Sequence, residues 1–185
     1  MTKAQLTVLA GPTAVGKGTV VAALTKRYPT LNVSVSATTR DPRPGELNGV
    51  HYYFVSPHEF DAMIERGDML EWALVHGKNK YGTPGGPVDE ALAAGKPVLL
   101  EIDLAGARQV RTNRPDAQFI FLAPPSWEEL ERRLIGRGTE GPEEQARRLA
   151  TARVELEAAS EFDHVVINDD VERAVDELAR LIGLE

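Results

Sequence analysis

The chain has no cysteine among its 185 residues, and only 6% of its residues are aromatic. The absence of cysteine excludes disulfide scaffolds, thiol catalysis and metal sites with Cys ligands. No apolar run approaches the roughly 18 residues that a transmembrane helix needs. The first residues also lack the apolar segment and cleavage site of a signal peptide. We therefore expect a cytoplasmic protein without a membrane partner.

Basic side chains are fewer than acidic ones: the chain has 21 Lys and Arg residues and 28 Asp and Glu residues, which give a net charge of −7. An acidic total argues against sequence-independent coating of nucleic acid. The charge is unevenly spread, however. Residues 1–53 carry six basic and two acidic side chains, residues 132–153 carry six and three, and residues 154–185 carry two and ten. This distribution permits a small anionic ligand in a locally positive pocket.

Apolar runs typical of strands alternate with helical patterns along the chain. Strands are predicted at 5–10, 32–37, 97–102, 118–122 and 164–167, and helices at 17–27, from 56 onward, 126–133, 142–159 and 171–182. Capping-box patterns open two of these helices, at Ser56–Glu59 and at Ser126–Glu129. This alternation predicts an α/β fold with a parallel sheet and helices on both faces. The length predicts one domain over residues 1–185. Residues 38–55 are polar and rich in Pro and Gly, and they predict a small inserted β-rich lobe.

A glycine-rich loop follows the first predicted strand and opens the first predicted helix. Its residues are Gly11, Pro12, Thr13, Ala14, Val15, Gly16, Lys17, Gly18 and Thr19. The G-x-x-x-x-G-K core is the layout of a P-loop, in which backbone amides and the helix N-terminus hold phosphate and the lysine adds a full charge. Position 18 is Gly, where a Ser or Thr usually binds Mg²⁺, and the Gly-Lys-Gly-Thr form resembles the loop of adenylate kinases. The alternative is an ordinary glycine turn.

Two carboxylates, Glu101 and Asp103, end the apolar strand predicted at 97–102. Residues two apart in a strand point to the same face, and ligands in parallel sheets bind beyond the strand C-termini. We therefore expect both carboxylates to face the P-loop, where they hold waters of Mg²⁺ together with Thr19 or accept hydrogen bonds from a base. The alternative is an exposed strand end.

The segment that follows residue 35 combines hydroxyl groups with two arginines. Arg40 and Arg43 are suited to bind a second phosphate, and Ser36 and Tyr52 would add O–H donors. A solvated polar loop is the alternative interpretation.

Ordered motifs over nearly the whole chain resemble those of guanylate kinases. They are SATTRDPR (36–43), the G-E-x-x-G-x-x-Y pattern (45–52), GDMLEW (67–72), YGT (81–83), LEIDLAG (100–106), FLAPP (121–125), LIGRGTE (134–140), Arg148-Leu149 and Asn168. The resemblance implies a P-loop NTPase three-layer fold. Its core would lie at about 1–35, 89–131 and 154–185, its GMP-binding lobe at about 36–88 and its helical lid at about 132–153.

The resemblance also implies roles for single residues. Ser36, Arg40, Arg43, Tyr52 and Tyr81 would bind the GMP phosphate, and Glu71, Thr83 and Asp103 would read the guanine, with Glu101 beside them. Guanine offers N1–H and N2–H donors that a carboxylate at Glu71 fits, whereas adenine has no such pair. Arg133, Arg137 and Arg148 would close on the ATP phosphates and act with Lys17 and Arg40 in catalysis. Asn168 would lie near the adenine; its alternative role is to cap the last helix.

The implied reaction is reversible transfer of the γ-phosphoryl group of MgATP to GMP, which gives ADP and GDP. The expected partners are ATP and GMP, without nucleic acid, in a monomer or homodimer. Two alternatives stay open: a kinase for another nucleoside monophosphate, which Glu71 disfavours, and a catalytically silent protein-binding module, which the intact Lys17 and glycines disfavour.

Overall fold

The structure is a computed structural model that describes residues 3–136 and 138–185. Its strands are β1 (Leu6–Ala10), β2 (Asn32–Val33), β3 (Ala37–Thr38), β4 (Tyr53–Phe54), β5 (Met69–Val75), β6 (Asn79–Pro84), β7 (Val98–Glu101), β8 (Gln118–Ala123) and β9 (His164–Ile167). Its helices are α1 (Lys17–Arg27), α2 (Pro57–Glu65), α3 (Gly85–Ala93), α4 (Leu104–Asn113), α5 (Trp127–Ile135), α6 (Pro142–Glu157) and α7 (Val171–Ile182).

The central sheet has five parallel strands in the order β2-β7-β1-β8-β9. Alternate side chains of its buried strands pack on opposite faces. Leu9 and Leu99 pack towards α1 and α7, whereas Val8, Leu100 and Phe119 pack towards α3 and α4. The predicted α/β fold with helices on both faces is therefore confirmed. Since all strands run the same way, their carboxyl ends meet at one edge, where such sheets bind ligands.

A second sheet, in the order β4-β3-β6-β5, forms an inserted lobe. Strands β5 and β6 are an antiparallel hairpin, and β3 pairs with β6 on one side and β4 on the other. Ala37, Phe60 and Met69 form a core of the lobe's own beneath α2. As the sequence predicts, α2 begins at a capping box, because the Ser56 hydroxyl accepts a hydrogen bond from the Glu59 amide at 3.0 Å.

The prediction of a single strand at 32–37 is wrong. Strand β2 belongs to the central sheet and β3 to the lobe sheet. The Ser34 amide still donates to the Leu99 carbonyl at 3.0 Å, but the Ser36 carbonyl accepts from the Tyr53 amide at 2.9 Å. The backbone thus changes partners between the two serines. Alternating small and apolar residues suit either sheet equally, so periodicity alone does not reveal the crossing.

The predicted lid region forms a pair of helices beside the P-loop edge. Leu130, Leu134 and Ala152 are the buried contacts between α5 and α6. Helix α5 begins where its capping box predicts, with the Glu129 amide donating to the Ser126 hydroxyl at 3.1 Å. Arg137 lies outside the described residues. Within the described ranges, no helix is long and apolar enough to cross a membrane.

Candidate active site

The loop between β1 and α1 has the conformation of a phosphate cradle. Gly16 stands just before the helix at φ +97°, and a Cβ there would lie 2.8 Å from the Asn168 Nδ2 atom. A larger residue is therefore excluded by both conformation and space. Lys17 is the first residue of α1, and its Nζ donates a hydrogen bond to the Ile102 carbonyl at 3.0 Å.

Two side chains from distant parts of the chain fix the P-loop by the same atom, the Val15 carbonyl oxygen. Asn168 Nδ2 donates to it at 2.8 Å and Arg133 Nη1 at 3.2 Å. Asn168 is 5% exposed and therefore acts as a buried support of the loop. The alternative that Asn168 caps α7 is wrong, because Asp170 caps it by accepting from the Arg173 amide at 2.9 Å.

The two carboxylates predicted on one strand face belong to different elements. Strand β7 ends at Glu101, and Asp103 is the N-cap of α4, where it accepts from the Gly106 amide at 2.7 Å. The alternation argument for them is therefore wrong, although both lie near the P-loop. Burial lowers the pKa of Lys17, while the negative charges of Glu101, Asp103 and Glu155 raise it. Lys17 is thus a partly dehydrated cation beside carboxylates, where phosphate would be a stronger partner.

Glu155 is a site residue that the sequence analysis missed. It lies on α6 beside the Thr13 backbone amide, and its Oε1 atom is buried without a hydrogen-bond partner among the described residues. Burial raises its pKa, and the Thr13 amide and the Lys17 charge lower it. Helical spacing is the signal that could have found it, since Arg148 and Thr151 precede it by seven and four residues on the same face.

The predicted guanine-reading residues come together between the lobe and the core. Glu71 is 9% exposed and stands directly opposite Thr83 in the β5–β6 hairpin, where the Thr83 hydroxyl donates to Glu71 Oε1 at 2.7 Å. A Cβ on Gly106 would lie 3.1 Å from Glu71 Oε2 and 3.0 Å from Asp103 Oδ1. Burial raises the pKa of Glu71, the Thr83 hydrogen bond lowers it, and the Asp103 charge raises it further. Glu71 is therefore a dehydrated acceptor that needs donors.

Arg40, Tyr52 and Tyr81 form a second group in the lobe. The Arg40 guanidinium lies 5.3 Å from the centre of the Tyr52 ring, which lies 6.0 Å from the Tyr81 ring. Both carboxylate oxygens of Glu46 accept hydrogen bonds from the Arg40 guanidinium, at 2.9 and 3.0 Å. Glu46 also accepts one from the Arg43 amide at 2.7 Å. The Arg40 hydrogen bonds, followed by the Arg43 amide, lower the pKa of Glu46 to about 2. Glu46 appears in the motif, but sequence reasoning assigned it no role.

The remaining phosphate candidates are less tightly placed. The Arg43 side chain is exposed and Ser36 is half-buried, and among the described residues neither side chain makes a hydrogen bond. Arg148 lies on the lid and pairs with Glu140 at 2.9 Å and Glu144 at 3.5 Å. It borders a cavity of about 380 Å³ between Thr13 and the lid helices. Arg148 therefore faces Thr13 of the P-loop across an open space, whereas Arg133 contacts the loop directly.

Oxygen donors near the P-loop are dispersed rather than clustered. A Cβ on Gly18 would lie 3.9 Å from Glu101 Oε1, which places this carboxylate against the first turn of α1 beside Thr19. No group of three or more His, Cys, Asp or Glu residues is arranged to hold a metal ion in the described parts of the chain. Protein groups here suit a metal that arrives with its own waters and phosphate ligands.

Comparisons with known proteins agree with this geometry. A family model described as guanylate kinase matches residues 3–185. The guanylate kinase of Thermobifida fusca is 61% identical over 179 residues, which cover 97% of this chain and 91% of that protein. That of Leifsonia xyli is 60% identical over 177 residues, 96% of this chain and 70% of that protein. The crystal structure of guanylate kinase from Anaplasma phagocytophilum matches with a TM-score of 0.74 and 31% identity, covering 100% of this chain and 87% of that one.

Proposed function

The chain belongs to the guanylate kinase family, and we propose that it transfers the γ-phosphoryl group of ATP to GMP, giving ADP and GDP. One observation carries this proposal above the others. The buried carboxylate of Glu71 is held by Thr83, forms no ion pair with any described residue, and faces Asp103 at the same edge of the sheet as Lys17. A base with adjacent N–H donors would satisfy that carboxylate, and guanine has them.

GMP would bind between the lobe and the core. Glu71 accepts from the guanine N1–H and N2–H groups, and Asp103 and Thr83 border the same base. Arg40, Tyr52 and Tyr81 hold the phosphate, with Ser36 and Arg43 joining them once the nucleotide is bound. Because buried acceptors left without donors are costly, this site rejects adenine strongly.

ATP would bind with its phosphates in the loop from Gly11 to Thr19. The Lys17 ammonium group exchanges its hydrogen bond to the Ile102 carbonyl for bonds to the β- and γ-phosphates. Asn168 supports the loop through its hydrogen bond to the Val15 carbonyl. A phosphate oxygen of GMP attacks the γ-phosphorus, and the bond to the β–γ bridging oxygen breaks. The nucleophile is already anionic, so the protein aligns the groups and stabilises charge through Lys17, Arg40, Arg133, Arg137 and Arg148.

Magnesium fits the oxygen donors near the P-loop. Thr19, Glu101 and Asp103 would hold it through waters, since Gly18 provides no hydroxyl at the usual ligand position. When bound with ATP, Mg²⁺ neutralises phosphate charge during transfer. The carboxylates would orient those waters, and their charges oppose the lowering of the Lys17 pKa by burial.

The test is a side-by-side coupled assay of the purified chain with MgATP and GMP, AMP, UMP or dTMP. We expect kcat/KM for GMP to exceed that for AMP by about 10⁴-fold, as is typical of a site that hydrogen-bonds its substrate. A preference for AMP or a pyrimidine nucleotide would overturn the assignment of the acceptor. A folded chain that binds GMP but turns over none of the four would instead be a silent binding module.

A further inference from the structure

The strand that carries Glu71 has one extra residue, Leu70, relative to its partner. In the β5–β6 hairpin Met69 pairs with Pro84 and Glu71 pairs with Thr83, so Leu70 is unmatched. This bulge lets Leu70 pack into the core under the central sheet while Met69 packs into the lobe core. Bulges re-aim neighbouring side chains, and this one directs Glu71 into the site.

Helix α4 bonds to β5 on both sides of Glu71. Asn113 Nδ2 donates to the Leu70 carbonyl at 2.9 Å. Gln109 Oε1 accepts from the Trp72 amide at 3.0 Å, and Gln109 Nε2 donates to the Trp72 carbonyl at 2.9 Å. The residues immediately before and after Glu71 are therefore attached to one helix of the core.

The Gln109 carboxamide takes the place of a neighbouring strand. Strand β5 is the edge of the lobe sheet, and in an antiparallel ladder alternate residues turn both N–H and C=O towards the open edge. A carboxamide presents one donor and one acceptor side by side and thus matches both groups of Trp72. Neither a carboxylate nor a thioether of similar length offers this pair.

The same helix also positions the other carboxylate of the guanine site. Asp103 is the N-cap of α4, and Gln109 and Asn113 follow six and ten residues later on that helix. Helix α4 therefore positions both Glu71 and Asp103, which lie on the two sides of the proposed guanine pocket. Arg40, Tyr52 and Tyr81 lie on the other lobe strands and loops and have no such attachment to α4.

We propose that Gln109 and Asn113 are positioning residues for guanine recognition, which hold the β5 bulge so that Glu71 keeps its place opposite Asp103. This role rests on the proposed function, because it assumes that Glu71 reads the base. Neither residue contacts the nucleotide in this scheme; both act through the backbone on either side of Glu71.

The test compares the variants Gln109→Met and Asn113→Ala with the wild-type chain in GMP and IMP titrations at saturating MgATP. Gln109→Met removes both bonds to Trp72 at nearly constant volume, and we expect the KM for GMP to rise about tenfold. Asn113→Ala removes one bond, and we expect about a threefold rise. The KM for ATP and kcat stay within about twofold. The GMP-to-IMP preference falls at least about threefold, because IMP lacks the 2-amino donor that Glu71 reads.

Thr112→Ala is the matched control, since Thr112 is exposed on the same helix and bonds only to the Arg108 carbonyl of its own helix. Its KM values and base preference should match those of the wild type. Variants with unchanged GMP KM and unchanged GMP-to-IMP preference would overturn the positioning role while GMP phosphorylation by the wild type stands. A wild type that does not phosphorylate GMP would overturn both proposals. If Gln109→Met does not fold by circular dichroism, Asn113→Ala alone decides the outcome.

Discussion

The proposed guanine pocket and the predicted lid hold their charged side chains in opposite ways. In the pocket, the Glu71 carboxylate is buried, bonded to Thr83 and fixed to α4 by its backbone neighbours. In the lid, Arg148 is half-exposed and paired with Glu140 and Glu144 of the lid itself. The Glu71 carboxylate is thus already held in place without a ligand. Arg148 is held by partners in its own segment, and we expect a bound nucleotide to displace them.

This difference follows from what each contact costs. Exposed ion pairs contribute about 0–1 kcal/mol, so Arg148 can exchange Glu140 for a phosphate with little loss. A buried carboxylate facing the wrong partner loses far more, so under the proposed function Glu71 would discriminate between bases without moving. We therefore propose that selectivity belongs to the pocket around Glu71, and charge stabilisation during phosphoryl transfer to the predicted lid.

The largest effect should come from removing the P-loop charge. Lys17→Met keeps the length of the side chain and its packing, but it removes the cation that the β- and γ-phosphates need. We expect kcat in the coupled assay to fall about 10³-fold with the KM for GMP nearly unchanged. Lys26→Met, at the exposed end of the same helix, is the control. A Lys17 variant that loses GMP affinity rather than turnover would show that the two regions are not separable.

Neutralising Glu71 should act on the base alone. Glu71→Gln places an amide N–H against guanine donors, and we expect kcat/KM for GMP to fall about 100-fold while ATP affinity by calorimetry is retained. Because the pKa of Glu71 is raised above the ordinary 4.5, the wild-type chain loses this charge at a higher pH than an exposed glutamate does. As pH falls, its GMP KM should therefore begin to rise at a higher pH than the titration of an ordinary glutamate would give, and the variant should lack that rise.

Glu65→Gln, on the exposed end of α2, is the matched control for Glu71. Equal weakening of GMP and ATP by Glu71→Gln would contradict a base-specific role. So would a GMP KM that is independent of pH in the wild type.

Two adjacent lid arginines offer a finer comparison. Both border the cavity beside Thr13 and both pair with Glu144, but Arg148 also pairs with Glu140, and its side chain is 43% exposed against 72% for Arg147. Arg148→Ala should lower kcat about 10- to 50-fold with the GMP KM unchanged, because it removes transition-state charge stabilisation. Arg147→Ala should change kcat less than about threefold. Equal losses in steady-state kinetics would mean that the lid contributes its charge as a whole rather than through single residues.

The sequence predicts the parallel sheet and the P-loop because both have local signals. The run at 5–10, the glycines around Lys17 and the capping boxes at Ser56 and Ser126 are strong patterns over a few residues. The hairpin Met69–Pro84 and the helices α3 and α4 have weaker ones. In the hairpin the apolar residues are divided between two cores, as with Met69 and Leu70, so no single periodicity is visible there.

The site residues also differ in how strong a sequence signal they have. Glu71, Thr83 and Asp103 could be named from the resemblance, and the structure brings them together. Gln109 could not, because a helical glutamine is an ordinary residue in one dimension, and the only sequence signal for Glu155 is its helical spacing from Arg148 and Thr151. Only the chain's folding brings Gln109 against an open sheet edge and Glu155 against Thr13.

The smallest effect concerns Glu155, a half-buried carboxylate with one buried oxygen atom, which belongs to the lid side of the comparison. Its folded pKa is raised, so the folded state binds the proton more tightly than the unfolded chain does. The favourable contribution is present below the ordinary pKa and is lost as pH rises through the folded pKa. Glu155→Gln should therefore raise the Tm without nucleotide by about 1–2 °C at pH 8 and by almost nothing at pH 4.

Glu157→Gln, at an exposed position two residues further along the helix, should leave the Tm unchanged at both pH values. A lower Tm for Glu155→Gln at pH 8 would show that the charged carboxylate beside the Thr13 amide stabilises the loop by more than its dehydration costs. The lid would then be fixed to the P-loop before ATP binds, as the guanine pocket is fixed to α4. A higher Tm would instead show that the lid carries an unfavourable buried charge in the absence of nucleotide, which is the property expected of a part that must move.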